Sequence, residues 1–151
     1  MPEVAWCGAC ITSIVMADIL IVEDDADLAA TVAELCAIDG HTTRTTFNGQ
    51  EGLLAMDDHL PDLIVLDIEM PVLDGVGMAY AALAKDAGRE LIPIVISSGY
   101  GDVAAIAREL GTEYWVVKPC SLDTLRKVIA LALTEHHPPQ PSAEAFQHCS
   151  P

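Results

Sequence analysis

The stretch Asp18-Ile-Leu-Ile-Val-Glu-Asp-Asp25 joins a short apolar run to a cluster of acids directly after it. Continuous runs of Ile, Val and Leu are typical of parallel strands that are buried on both faces. Other runs of this kind follow along the chain, and one weaker, polar run indicates an edge strand. The apolar runs are Ile19–Val22, Leu63–Leu66, Ile92–Ile96 and Tyr114–Val117, and the polar run is His41–Thr46.

Helical patterns separate these predicted strands. Apolar residues recur there at intervals of three and four, and Asp25 and Ser121 are placed to cap the first and the last helix. Five strands that alternate with helices predict an α/β fold with a doubly wound parallel sheet. The helical patterns span Leu28–Leu35, Gln50–Asp58, Val76–Leu83, Val103–Leu110 and Leu122–Ala132.

Composition narrows the classes of partner. The chain has 151 residues, of which 52% are hydrophobic, so one domain with a substantial core is expected. Seven Lys and Arg stand against 23 Asp and Glu, which gives a net charge of −16. This charge disfavours direct binding to nucleic acid or to an anionic membrane and favours cations. The five cysteines lack the spacing of a disulfide framework, and we expect a reducing, cytoplasmic location.

The two ends of the chain are predicted to lie outside the domain. We interpret residues 1–16 as a disordered extension, 17–134 as the domain and 135–151 as a disordered tail rich in Pro and His. The apolar segment from Val4 to Val22 is not interpreted as a membrane span, because Asp18 interrupts it and no Lys or Arg precedes Arg44. Met1 and Met16 both remain possible start residues.

We predict no function for the cysteine and histidine motifs at these ends. The segment Trp6-Cys7-Gly8-Ala9-Cys10 has the spacing of a redox dithiol, but no strand precedes it to deliver the first thiol to a helix. Metal binding by the tail is interpreted as adventitious, since a flexible segment must lose entropy on ordering. The tail residues concerned are His136, His137, His148 and Cys149.

Chemically active side chains follow the apolar runs. Glu23 and Asp24 follow the first predicted strand, Asp67 follows the third, Ser98 the fourth and Lys118 the fifth. The carboxyl ends of parallel strands meet at one edge of the sheet, where α/β proteins bind ligands. Three neighbouring carboxylates repel one another, and their oxygens suit Mg²⁺. With Lys118 and Ser98 to contact phosphoryl oxygens, the set has what phosphoryl transfer to an aspartate requires.

The sequence resembles the receiver domain of bacterial two-component response regulators over Ala17 to Leu133. The likeness rests on several segments that occur in the family's order. These segments are Ile19-Leu-Ile-Val-Glu-Asp-Asp25, Asp62-Leu-Ile-Val-Leu-Asp-Ile-Glu-Met-Pro71, Asp74-Gly75, Ile92-Pro-Ile-Val-Ile-Ser-Ser-Gly-Tyr100 and Trp115-Val-Val-Lys-Pro119.

The resemblance implies a flavodoxin-like receiver fold with strand order 2-1-3-4-5. It implies that Asp67 accepts a phosphoryl group from a sensor histidine kinase or a histidine phosphotransfer protein. Mg²⁺ would be held by Asp24, Asp67 and the backbone carbonyl of Glu69, with Glu23 helping directly or through water. Lys118 would pair with the phosphoryl group, and the bond between Lys118 and Pro119 would be cis.

The resemblance also implies a conformational switch. Ser98 would be the switch hydroxyl and Trp115 the switch aromatic, although a shift of one residue would give the hydroxyl's role to Ser97. Three residues depart from the common pattern of the family. Glu23 replaces a frequent Asp, Trp115 stands where Tyr or Phe is usual, and Cys120 is smaller than the usual residue. We interpret Cys120 as a small buried packing residue.

The function expected from these observations is that of a stand-alone receiver. Such a protein is not an enzyme beyond its own phosphorylation and dephosphorylation. Its phosphorylated form would bind a protein target through the fourth helix, the fifth strand and the fifth helix. The cognate kinase, the target, the dephosphorylation rate and the oligomeric state are left open.

Three alternative functions fit the sequence less well. A phosphatase of the haloacid-dehalogenase type would need Asp where Glu69 stands, and would carry its metal-binding acids late in the chain. A dinucleotide site at Gly99-Tyr-Gly-Asp-Val-Ala104 follows the wrong strand and lacks a ribose-binding acid after the next one. A receiver that only docks, without phosphorylation, is disfavoured by the intact acid set.

Overall fold

The computed structural model describes residues 16–70, 74–84, 91–99 and 102–141, with side chains omitted at 83 and 84. In these residues, five β-strands alternate with five α-helices. The strands are β1 (Asp18–Val22), β2 (Thr42–Thr46), β3 (Leu63–Asp67), β4 (Ile94–Ser98) and β5 (Tyr114–Val117). The helices are α1 (Ala26–Ile38), α2 (Gly49–Asp58), α3 (Gly75–Ala84), α4 (Val103–Leu110) and α5 (Leu122–Glu135).

The strands form a single parallel sheet in the order β2-β1-β3-β4-β5. This order confirms the predicted doubly wound fold, with the polar strand β2 at one edge. The order reverses between β1 and β3, so that the chain leaves these two neighbours toward opposite faces of the sheet. A crevice opens at such a reversal, beyond the carboxyl ends of the strands.

Alternating side chains of the central strands build two cores. Ile19 and Ile21 of β1 belong to the core on the side of α1 and α5. Leu20 and Val22 point the other way and belong to the core that includes Met56 of α2. Both sets are almost fully buried, which explains why these strands read as continuous apolar runs rather than alternating ones.

Side-chain caps set where the helices begin. Asp25 accepts hydrogen bonds from the amides of Asp27 and Leu28, and Ser121 accepts one from the amide of Thr124. Both predicted caps are therefore confirmed. These bonds satisfy amides that the first turn of a helix leaves without backbone partners.

Strand β4 begins and ends two residues later than predicted. The apolar pattern places it at Ile92–Ile96, whereas the structure places it at Ile94–Ser98. Pro93 has no amide hydrogen to give to a ladder, although its carbonyl accepts a bond from Ile64. At the other end, Ser97 and Ser98 pair with Val116 and Val117 of β5. The two serines are thus part of the sheet and not of the loop after it.

The first residues of the predicted tail are folded, which corrects the boundary placed after residue 134. Helix α5 continues to Glu135, and the ring of His137 stacks on Tyr114 with 6.5 Å between ring centroids. The amide of Gln140 donates to the carbonyl of Gly111 at 3.0 Å, and Pro139 is buried. The composition of this segment suggested that the entropy lost on ordering would keep it disordered. The stacking of His137 on Tyr114 and the burial of Pro139 offset that loss.

Several other sequence predictions fall outside the described residues. These are the extension over residues 1–15, including the Cys7 and Cys10 pair, and the tail from residue 142 with His148 and Cys149. Across the part of the chain that is described, no helix has both the length and the apolar character needed to span a bilayer.

Candidate functional site

Three carboxyl groups meet at the carboxyl edge of the sheet. Glu23 and Asp24 directly follow β1, and Asp67 is the last residue of the neighbouring β3. Their carboxyl oxygens all lie within 4.8 Å of one another. Glu23 and Asp67 are buried, with 6% and 5% of their surface exposed, whereas Asp24 is open to solvent. The sequence prediction that these acids converge is therefore correct.

Lys118, directly after β5, reaches this cluster from the other side. Its ammonium nitrogen Nζ lies 2.6 Å from Oε2 of Glu23 and 3.6 Å from Oδ1 of Asp67. Burial lowers the pKa of Lys118, but the hydrogen bond to Glu23 and the charges of Asp67 and Glu23 outweigh it and raise that pKa. Lys118 is therefore an ammonium held between two carboxyl groups.

The surroundings of Asp67 strongly shift the pKa of its carboxyl group. Burial and then the negative charge of Glu23 raise the pKa of Asp67 to about 7, against the opposing effect of Lys118. The Glu69 amide, which donates to Oδ1 at 3.3 Å, also opposes the rise. One lysine thus faces three acids, and the uncompensated negative charge makes the cluster attractive to a cation.

The hydroxyl groups of β4 lie on opposite faces of the sheet. Ser97 is in register with Asp67 and lines the same cavity as that residue. Ser98 is fully buried, and its Oγ lies 3.2 Å from Oε1 of Glu69, to which it donates. Ser98 therefore faces the loop after β3, where Glu69 stands, and its assignment as the switch hydroxyl remains a prediction.

Gly75, at the start of α3, is a site residue to which the sequence analysis assigned no role. A Cβ atom at this position would lie 2.1 Å from the carbonyl oxygen of Asp67. The Gly75 amide donates to the carbonyl of Ile68 at 3.0 Å, which ties the first turn of α3 to the end of β3. The sequence pair Asp74-Gly75 indicates only the start of a helix. The requirement for a glycine at position 75 is visible only from its contact with Asp67.

The remaining predicted residues lie around this cluster. Trp115 is 41% exposed in β5, on the outer edge of the sheet. The peptide bond between Lys118 and Pro119 is cis, as expected. Pro71 and Tyr100, which belong to the quoted motifs, fall outside the described residues. Glu69 is exposed and lies two residues after Asp67. Its backbone carbonyl stays a predicted metal ligand.

A different group of possible metal ligands lies at the opposite edge of the sheet. Glu113, Glu135 and His137 present ligand atoms within 4.8 Å of one another, and all three residues are exposed. His137 already forms an ion pair with Glu113 at 2.8 Å, which raises the pKa of the imidazole. Of the tail residues considered as metal ligands, His136 and His137 are described, and only His137 belongs to this group.

The acid cluster has the donor set of a magnesium site. Its ligands are all carboxyl oxygens, and one acid is open to solvent, which suits an ion that keeps several waters. A buried carboxyl group, a half-buried ammonium and a hydroxyl lie at the same edge. This combination is suited to phosphoryl transfer.

Comparison with known proteins decides the family. The family model described as the response regulator receiver domain matches residues 19–130. The chain belongs to the receiver domain family of response regulators. The match begins at the second residue of β1 and ends within α5, so it covers the rest of the sheet and each residue of the cluster.

Curated relatives of this receiver include two proteins of Mycobacterium tuberculosis. The receiver is 34% identical to the transcriptional regulatory protein PrrA over 76% of its own length and 48% of that protein. It is 31% identical to the transcriptional regulatory protein PdtaR over 77% of its own length and 56% of that protein. The chain thus spans about half the length of these relatives.

Solved structures share the receiver's fold. NtrX from Brucella abortus is 31% identical with a TM-score of 0.72, over 81% of this chain and 28% of that one. The chemotaxis response regulator CheY4 of Vibrio cholerae is 25% identical with a TM-score of 0.69, over 76% of this chain and 97% of that one. The second comparison shows that a chain composed almost wholly of this fold exists.

Proposed function

We propose that this receiver accepts a phosphoryl group on Asp67 from a phosphorylated histidine of a sensor kinase or a phosphotransfer protein. The observation that carries the proposal is the position of the Lys118 ammonium, 2.6 Å from Glu23 and 3.6 Å from Asp67, inside the acid cluster. A half-buried ammonium that contacts the Asp67 carboxyl group is suited to pair with a phosphoryl oxygen as it arrives.

Magnesium is the cofactor of the proposed reaction. Glu23, Asp24, Asp67 and the backbone carbonyl of Glu69 would hold it, and the all-oxygen cluster fits that ion. When bound, Mg²⁺ neutralises acid charge that otherwise repels a phosphate and polarises the transferring group. Lys118 supplies positive charge from the side of β5, so that the phosphoryl group is contacted from two directions.

In the proposed transfer, an oxygen of the Asp67 carboxylate forms a bond to phosphorus as the bond from phosphorus to the donor histidine nitrogen breaks. The electron pair of that bond stays on the imidazole. Lys118 pairs with a phosphoryl oxygen, and the Ser98 hydroxyl donates a hydrogen bond to another. To do so, Ser98 must exchange its present hydrogen bond to Glu69 for one to the phosphoryl group.

The proposed output is a change on the face formed by α4, β5 and α5. Trp115 and Val117 of β5 are 41% and 53% exposed there, which is apolar surface available to a protein partner. Movement of Ser98 at the end of β4 would displace β5, because Ser98 pairs with Val117 in the sheet. Phosphorylation would thereby shift the population of a binding-competent face.

Two further aspects of the function are part of the proposal. The domain catalyses only its own phosphorylation and dephosphorylation, with Asp67 as the residue that carries the phosphoryl group. It works through protein partners and does not itself contact nucleic acid, because a charge of −16 repels phosphate backbones. The relatives PrrA and PdtaR are named as transcriptional regulators, and they exceed the matched segment in length.

The test is incubation with acetyl phosphate and Mg²⁺, followed by intact mass measurement. The wild-type chain should gain one phosphoryl group, and Asp67→Asn should gain none. The matched variant Asp58→Asn, which removes an exposed carboxyl at the end of α2, should gain it as the wild type does. Chelation of Mg²⁺ should prevent the gain. An unmodified wild-type chain at saturating donor would instead support a receiver that only docks.

A further inference from the structure

An apolar cavity of about 450 Å³ opens beside the acid cluster. It lies between the first half of α1, the carboxyl ends of β1 and β3, and the segment from Lys118 to the start of α5. Leu28, Val32, Val65, Cys120 and Leu125 form much of its wall. A volume of this size is within the range of about 300–1,000 Å³ that is typical of small-molecule sites.

The small side chain of Cys120 is one reason for this space. Cys120 packs at the border of the core that includes Val32 and Leu125, and it is only partly buried. It lines the cavity without filling it, which corrects its interpretation as a buried packing residue. A larger apolar side chain at this position would extend into the volume that is now open.

One end of the cavity is charged. Glu23, Asp67 and Lys118 line it there, together with Ser97. The two carboxyl groups face one ammonium, and Lys118 is already bound to Glu23 at 2.6 Å. The Asp67 oxygen is a full ångström farther from Lys118, at 3.6 Å. The charged end therefore has two carboxyl groups for one ammonium, whereas the rest of the wall is mostly apolar.

We propose that this cavity binds a small amphipathic cation, a compact apolar body that carries one primary ammonium. The body occupies the space beside Cys120, and the ammonium pairs with the carboxyl group of Asp67, which Lys118 contacts less closely than Glu23. An anion of the same shape meets like charge at this end, and a neutral molecule lacks the ion pair. The net charge of −16 further raises the local concentration of cations.

Occupancy of the cavity also regulates Asp67, and this part rests on the proposed function. The ammonium competes for the carboxylates that hold Mg²⁺ and attack phosphorus. A bound amine therefore slows phosphorylation of Asp67, and the slowing is relieved as Mg²⁺ is raised.

The binding test uses 2-phenylethylamine, with 2-phenylethanol and phenylacetate as its neutral and anionic counterparts. Each is titrated into the full chain in Mg²⁺-free buffer and followed by amide chemical shifts. The amine should bind about tenfold or more tightly than either counterpart, because only the amine gains the ion pair. Its shifts should be confined to residues around Leu28, Cys120 and Leu125. Equal affinity for the three probes, or shifts spread over the surface, would overturn the proposal.

Variants of Cys120 test the location. Cys120→Phe should abolish binding of the amine by filling the cavity, whereas Cys120→Ala keeps the cavity open and should retain it. If Cys120→Phe does not fold, Cys120→Met fills part of the space and should weaken binding by about tenfold. Binding of the amine that is the same in Cys120→Met and Cys120→Ala would place the site elsewhere and contradict the proposal.

A kinetic experiment separates this inference from the proposed function. Phosphorylation by acetyl phosphate is measured with and without 2-phenylethylamine in the wild type and in Cys120→Ala, and the amine should slow both. If the wild type is never phosphorylated but the amine binds as described, the proposed function fails and the binding site stands. If phosphorylation proceeds and the amine neither binds nor slows it, the binding site fails and the proposed function stands.

Discussion

Lys118 binds Glu23 more closely than it binds Asp67, with Nζ at 2.6 Å from the first carboxyl group and 3.6 Å from the second. In the described structure, the lysine predicted to pair with the phosphoryl group is therefore held mainly by a proposed metal ligand. The length of the Glu side chain makes this contact possible. Changes at Glu23 should accordingly affect both cation binding and the position of Lys118.

Glu23→Gln should weaken Mg²⁺ binding by about tenfold or more, because it removes one negative charge from the ligand set. The measurement is a calorimetric titration with MgCl₂. Glu34→Gln removes an exposed carboxyl from the middle of α1 and should leave Mg²⁺ affinity near that of the wild type. Equal affinities for the wild type and Glu23→Gln would show that Glu23 is not part of the metal site.

Asp67→Asn should stabilise the Mg²⁺-free chain above neutral pH. Burial and then Glu23 raise the pKa of Asp67 from 3.8 to about 7, so the folded chain holds this proton when the unfolded chain has lost it. Stability therefore falls as pH rises from about 4 to about 7, and the loss persists at higher pH. At about 1.4 kcal/mol per pKa unit, the variant gains at most about 4 kcal/mol at pH 8.

Urea denaturation of wild type and Asp67→Asn at pH 4.5 and pH 8 measures this effect. The difference in free energy of unfolding should be small at pH 4.5 and large at pH 8. Asp58→Asn, which removes a carboxyl that is solvent-exposed in the folded chain, should show no such pH-dependent gain. A wild type as stable as Asp67→Asn at pH 8 would contradict the burial of an uncompensated charge at Asp67.

Gly75→Ala should destabilise the fold, because the added Cβ would lie 2.1 Å from the carbonyl oxygen of Asp67 and the backbone must shift. We expect a loss of about 2 kcal/mol or more in the free energy of unfolding. Gly40→Ala is a useful comparison, since Gly40 has φ +90° but open space around it, and should lose only about 1 kcal/mol. The reverse order of the two losses would argue against the close approach of α3 to β3.

Removal of residues 136–151 should cost more stability than removal of residues 142–151. The longer deletion uncovers Tyr114 by removing the stacked ring of His137, and it removes the buried Pro139. Loss of this apolar burial should lower the free energy of unfolding by about 1–2 kcal/mol. Thermal unfolding of the two truncated chains makes the comparison. Identical midpoints would mean that the segment after α5 contributes no packing.

Much of the fold was predictable because strands and helices are encoded by local periodicity. The run at Ile19–Val22 matches its strand closely, since burial on both faces requires continuous apolar residues. The run at Tyr114–Val117 also matches its strand, although Trp115 and Val117 are exposed there. Strand β4 was misplaced because Ile92 is apolar and buried but lies before Pro93, which interrupts pairing. Folding of residues 136–141 depends on Tyr114 and Gly111, which are distant in sequence, and composition does not report such contacts.

The amino-acid sequence alone established the α/β class, the family resemblance and the residues that converge on the carboxyl edge, because each strand carries its reactive side chain at its own end. The tertiary structure alone decided how these residues pair. That Lys118 prefers Glu23 to Asp67, that Gly75 abuts Asp67 and that Cys120 leaves a cavity open all depend on separations of ångströms between segments far apart in the chain. Local patterns specify the direction of a side chain, but only packing sets its distance from a neighbour.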